Sequence, residues 1–154
     1  GACRRGAPAS CRAGCGVRAA QLAAPRRDAV VAELMSQPVL TVEVTETLWD
    51  AWQLLFVSGL RHLVVLNEDG SSLGVLSDRN ILAEVPATAE NLSSRRVRDV
   101  LAMVPLISVS PGQSPLAAAR AMTDNSVEAV PVLDERGRLV GIITESDIVR
   151  WLVS

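Results

Sequence analysis

The sequence predicts an α/β (α+β) fold made of two copies of one small unit, related by a pseudo-twofold axis, each copy a small three-stranded sheet packed with two helices. Three observations predict it. Laid on itself with an offset of 67 residues, which brings Gly74 onto Gly141, the chain matches from Val30 on Val97 to Ile81 on Ile148 without insertion or deletion. The matches fall together on turn glycines (Gly70 on Gly137) and on apolar positions (Val65 and Leu66 on Val132 and Leu133), as a duplication requires. Each copy also changes its apolar spacing in the same order, from helical to near-continuous and back to helical. Two copies are too few for a solenoid, so a closed pair is expected, and 154 residues with 49% hydrophobic content suffice for one sizeable core.

The elements follow in order. A short lead helix ends near Met35. "PVLTV" and "PLISV" read as brief extended segments, because Pro38 and Pro105 keep the chain out of helix. Thr47, with Asp50 three residues on, caps a helix whose apolar stripe is Leu48, Ala51, Trp52, Leu55 and Phe56 and whose stop is Gly59. In copy two Ser114 caps, Pro115 takes the first turn, and Leu116, Ala119 and Met122 carry the stripe. Trp49 and Trp52 read as core or interface residues. Two strands joined by an acidic, glycine-ended turn come next: "LRHLVVL", "NEDG", "LGVL", and "VEAVPVL", "DERG", "LVGII". Their nearly unbroken apolar character predicts cover on both faces. A last helix closes each copy, over 78–84 and 145–153. The resulting organisation is a basic head over 1–27, copies over 28–84 and 97–154, and a link over 85–96, with Val30 to Leu152 expected to fold as one unit without the head.

Composition narrows the function classes. Six of the 15 basic residues, all of them Arg, precede Asp28, while all 17 acids lie from Asp28 onward. An acidic body argues against nucleic-acid binding. No apolar run approaches the roughly 20 residues that span a bilayer, so a soluble protein with no membrane partner is expected. Cys3, Cys11 and Cys15 all lie in the head, which has no apolar periodicity and reads as disordered. With His62 they number enough for zinc, but there is no paired CxxC and the histidine is remote, so no metal is expected. A body without cysteine fits a cytoplasmic location. The Arg-rich, acid-free head resembles an organelle transit peptide, or else is a cloning remnant or upstream sequence.

The repeated closing turn carries the chemistry. "GVLSDRN" and "GIITESD" each end a strand in a hydroxyl and place an amide or carboxylate three residues later, in the first helical turn. Thr144 and Asp147 there are either a helix cap or a site for a phosphorylated sugar, with the hydroxyl toward phosphate and the carboxylate toward the ribose diol.

On these residues the body resembles a tandem pair of cystathionine β-synthase (CBS) domains, a Bateman module: "RHLVVLNEDGSSLGVLSDRNIL" and "EAVPVLDERGRLVGIITESDIV" both follow the family's strand, acidic glycine turn and G-h-h-[S/T]-x-x-D ending. The resemblance implies a regulatory module that binds an adenosine-containing ligand (AMP, ADP, ATP or S-adenosylmethionine) in clefts between the copies, with no obligatory cofactor. It carries Asp147 to the ribose and Thr144 to the phosphate, and lines the base with Leu106, Ile107, Ser108, Ala129, Val130 and Pro131. In copy one Ser77 matches but Asn80 departs from the pattern, so the carboxylate cleft is expected to dominate. Arg61, His62 and Arg79 stand where the family often places basic residues near phosphate; a sheet edge for the arginines and a hydrogen-bonded imidazole are the alternatives. The resemblance further implies a disc-like homodimer and, with no catalytic domain within these residues, a protein target in trans. A ligand-free assembly module is the rival reading. An enzyme ranks last, for want of a nucleophile and base pair or a Walker-type loop.

Overall fold

The computed structural model describes residues 26–103 and 106–154. The three cysteines and Pro105 therefore lie outside the described residues. In chain order the elements are α1 (Val31–Leu34), β1 (Thr41–Glu43), α2 (Leu48–Ser58), β2 (His62–Leu66), β3 (Ser72–Ser77), α3 (Asp78–Glu84), α4 (Ala89–Ser93), a 3-10 segment (Val97–Met103), α5 (Pro115–Asn125), β4 (Ala129–Leu133), β5 (Leu139–Thr144) and α6 (Glu145–Leu152). The capped helices form where the local signals place them. Thr47 and Asp50 make a reciprocal capping box on α2, Gly59 ends it in the left-handed region at φ 71°, and Ser114 with Pro115 starts α5.

Strand register repeats the duplication. β2 pairs antiparallel with β3 from His62 opposite Ser77 to Leu66 opposite Ser72, and β4 pairs with β5 from Ala129 opposite Thr144 to Leu133 opposite Leu139. Both ladders carry a register shift at the same place, between Val65 and Leu66 and between Val132 and Leu133. The copies part company at the edge. β1 runs parallel to β2 over three residues, whereas copy two has two strands and a single parallel bridge, Val109 to Val132, in place of the expected third strand. The reason is two prolines. Val64 donates its N–H to the Leu40 carbonyl and Val44 donates to the Leu66 carbonyl, both at 3.0 Å, and their counterparts are Pro131 and Pro111, which have no N–H to donate.

Each copy's core is completed by the segment that leads into the other. Val31, Leu34 and Met35 pack with Val109, Ala118, Val130, Val132, Ile143 and Ile148 of copy two, while Val97, Val100 and Leu101 pack with Leu48, Leu63, Leu76 and Ile81 of copy one. Backbone bonds follow suit: Val31 N–H donates to Gln113 O and Ala32 N–H to Pro111 O, as Val97 N–H does to Glu46 O and Arg98 N–H to Val44 O. In three dimensions Val31, not Val30, is thus the counterpart of Val97. The alignment without gaps slips by one residue in this segment. The link over 85–96 also contains α4, whose Leu92 is fully buried in the core of copy one. A third cluster, Val64, Ala129 and Ile142 with Val39, Leu66 and Val75, joins the two sheets.

Candidate functional site

Both closing turns fold into the same hydrogen-bonded box, with different consequences. In copy two the Thr144 N–H and Oγ1 donate to Asp147 Oδ2 at 2.9 and 3.1 Å, and Asp147 N–H returns a bond to Thr144 Oγ1 at 3.4 Å. Asp147 Oδ1 accepts from Arg150 Nη2 at 2.6 Å, and the residue is only 4% exposed. Both carboxylate oxygens are engaged within one helical turn, which is how an ionised carboxylate tolerates burial. In copy one the Ser77 N–H and Oγ donate to Asn80 Oδ1 at 2.9 and 2.8 Å, and Asn80 N–H donates to Ser77 Oγ at 3.2 Å. With Oδ1 spent on the cap, Nδ2 is the polar atom of the amide left for a ligand. The counterpart of Arg150 is Ala83, so the arginine that engages Asp147 has no equivalent at Asn80.

The two turns open onto different clefts. Asn80 lies in a cleft of about 140 Å³ that draws on both copies: His62, Val75, Ser77 and Arg79 on one side, Ser126, Val127, Glu128 and Ala129 on the other. Asp147 lines a groove of about 310 Å³ with Leu34 of the lead helix, Arg150 and Trp151; Trp151 Nε1 donates to the Arg26 carbonyl at its edge. The expected base-lining segment does not join Asp147 there. Leu106 is 73% exposed, Ser108 is exposed, and Ile107 packs toward the core of copy two. Val130 and Pro131 are buried in β4, which leaves Ala129 alone of that strand in the Asn80 cleft.

Of the three basic candidates, the structure brings His62 and Arg79 into the Asn80 cleft and leaves Arg61 exposed beside it. Arg79 Nη1 donates to Glu128 Oε1 at 2.6 Å, an ion pair between the copies, and His62 Nε2 lies 3.8 Å from Glu128 Oε2. Burial holds the His62 pKa below its ordinary value; Arg61 lowers it further, while Glu128, Asp78 and Glu145 oppose the shift. The imidazole is therefore neutral at pH 7. Of the cleft residues that sequence reasoning missed, Val75, Ser126, Val127 and Glu128, only Glu128 is charged. The signal was present, since the 67-residue offset places Glu128 on Arg61. Among the described residues no group of three or more His, Cys, Asp or Glu could hold a metal, and no helix is long and apolar enough to cross a membrane.

Fold and register together define a tandem pair of α/β repeats, and comparison with known proteins gives the family. The chain belongs to the CBS domain family, whose model matches residues 31–87 and 97–154. Homoserine O-acetyltransferase of Methanococcoides burtonii is 34% identical over 122 residues, which are 79% of this chain and 24% of that protein. The chain thus spans about a quarter of the length of that relative. A conserved CBS domain protein of unknown function from Thermoplasma acidophilum has a TM-score of 0.72 at 28% identity, over 80% of this chain and 69% of its own. CBSX2, solved in complex with AMP, has a TM-score of 0.64 at 26% identity, over 79% and 93%.

Proposed function

We propose that this chain is a regulatory CBS pair that binds an adenosine-containing small molecule in the cleft at Asn80 and passes its occupancy to a protein partner. The observation that carries the reading is the cleft itself. It is walled by both copies, so a ligand there changes how they meet, and it offers the amide nitrogen of Asn80 together with His62 and the carboxylate of Glu128. The complex of CBSX2 with AMP supports the ligand class. The Asp147 groove is the weaker candidate, because a ribose there must displace Arg150 and the cap from the carboxylate.

Calorimetric titration with adenosine, AMP, ATP and S-adenosylmethionine tests this reading. At least one binds saturably, and Asn80→Ala weakens it by about tenfold, the value of one or two hydrogen bonds. Loss of binding in Asp147→Ala but not in Asn80→Ala moves the site to the other groove; silence from all four ligands favours the assembly module. That second reading rests on its own observation. Phe56 (82% exposed), Leu60, Leu82 and Val149 leave apolar side chains in solvent on or beside α2, α3 and α6, as a helix-mediated homodimer would use. Sedimentation shows a dimer at micromolar concentration that Phe56→Asp weakens; a wild-type monomer removes it.

A further inference from the structure

Glu128 occupies, in the Asn80 cleft, the place that Arg61 takes in the pseudo-symmetric half. It changes what the cleft can hold. Its carboxylate is matched with Arg79 across the boundary between the copies, so the guanidinium that a phosphate would need is already committed. The charged groups that line the cleft or act on His62 come from every element around it: Arg61 and His62 at the start of β2, Asp78 and Arg79 on α3, Glu128 before β4, and Glu145 on α6. With a neutral imidazole, three carboxylates face two guanidiniums. A phosphate entering here either breaks the Arg79–Glu128 pair or adds a further negative charge beside Glu128, and like charges a few ångströms apart repel strongly where water is partly excluded. Ribose hydroxyls, an ammonium or a sulfonium meet the reverse situation. Asn80 has given its oxygen to the cap and can only donate, so the acceptor for such groups is Glu128.

We propose that the Asn80 cleft selects an adenosine whose 5′ substituent is uncharged or cationic over one that carries phosphate, and that Glu128 sets this selection. This rests on the reading of the cleft as the adenosine site. The test is calorimetric titration of the full chain and of Glu128→Gln with 5′-methylthioadenosine, S-adenosylmethionine, AMP and ATP. On the unaltered chain the first two bind about tenfold or more tighter than AMP, and Glu128→Gln narrows that ratio about tenfold by strengthening AMP. Tighter binding of AMP or ATP to the unaltered chain overturns the selection while leaving the adenosine site intact, and a ratio unmoved by Glu128→Gln overturns the role of Glu128. Failure of all four to bind overturns both. Glutamine keeps the size of the side chain, and unchanged circular dichroism and melting of the variant show that the comparison is between folded proteins.

Discussion

The two copies share a register, a bulge and a capping box, yet at one position of the shared turn they diverge into different electrostatic solutions. Copy two keeps a carboxylate, Asp147, buries it, and neutralises it with Arg150 on the next helical turn. Copy one drops the carboxylate and the arginine together, with Asn80 and Ala83 in their places, and receives a carboxylate from across the boundary instead, Glu128. The difference teaches that a motif residue's identity does not by itself fix its availability. The stronger acceptor is the one already occupied, because an unpaired buried charge is too costly to leave waiting.

The largest expected effect concerns how far the copies are independent. Leu76 and Ile143 are equivalent and fully buried, so Leu76→Ala and Ile143→Ala should each destabilise by about 2–5 kcal/mol. Because the lead segments are exchanged, either change should lower one shared unfolding transition, monitored by circular dichroism in denaturant. Two separated transitions would break the claim that each copy completes the other.

A smaller effect separates the two motif glycines. Gly74 adopts φ 133°, where a side chain strains the backbone. At Gly141 the constraint is a neighbour: an added Cβ would stand 2.5 Å from Met35 Sδ. Alanine at either position should cost about 1–3 kcal/mol, but only at Gly141 should Met35→Ala recover part of the loss in a double-mutant cycle. Equal recovery at both would show that the glycines serve one purpose.

Acidification should expose the asymmetry at the strand ends, where copy one has His62 and copy two has Ala129 at the equivalent position. The folded pKa of His62 lies below its ordinary value of 6.5, so the unfolded chain binds the proton more readily. Stability from the neutral imidazole is complete above 6.5 and is lost as the pH falls from there through the folded value. His62→Gln should flatten melting temperature against pH in that window, and an unchanged profile would contradict the burial of the imidazole. The smallest effect is at the caps of the long helices. Gly59 holds the left-handed position after α2, while Ser126 holds it after α5 at φ 53°. Ser126→Gly should therefore raise stability by up to about 1 kcal/mol, and Gly59→Ser lower it by as much, read by thermal melts.

What the sequence determined is what acts over three or four residues: the capping boxes at Thr47, Ser77 and Thr144, the proline-started α5, the apolar strands, and the duplication that orders them. These were legible because a hydroxyl and a backbone N–H three positions apart meet in any first helical turn, whatever surrounds them. The loss of a third strand in copy two was legible only in retrospect, as Pro131 and Pro111 in the places of Val64 and Val44. Tertiary structure alone decided the rest. It exchanged the lead segments, buried Leu92 within what read as a link, paired Arg79 with Glu128 across 49 residues and Trp151 with the Arg26 carbonyl across 125. Hydrophobic burial, which draws such segments together, scales with area and has no direction, so the pattern of apolar residues says that a face will be covered without naming the segment that covers it.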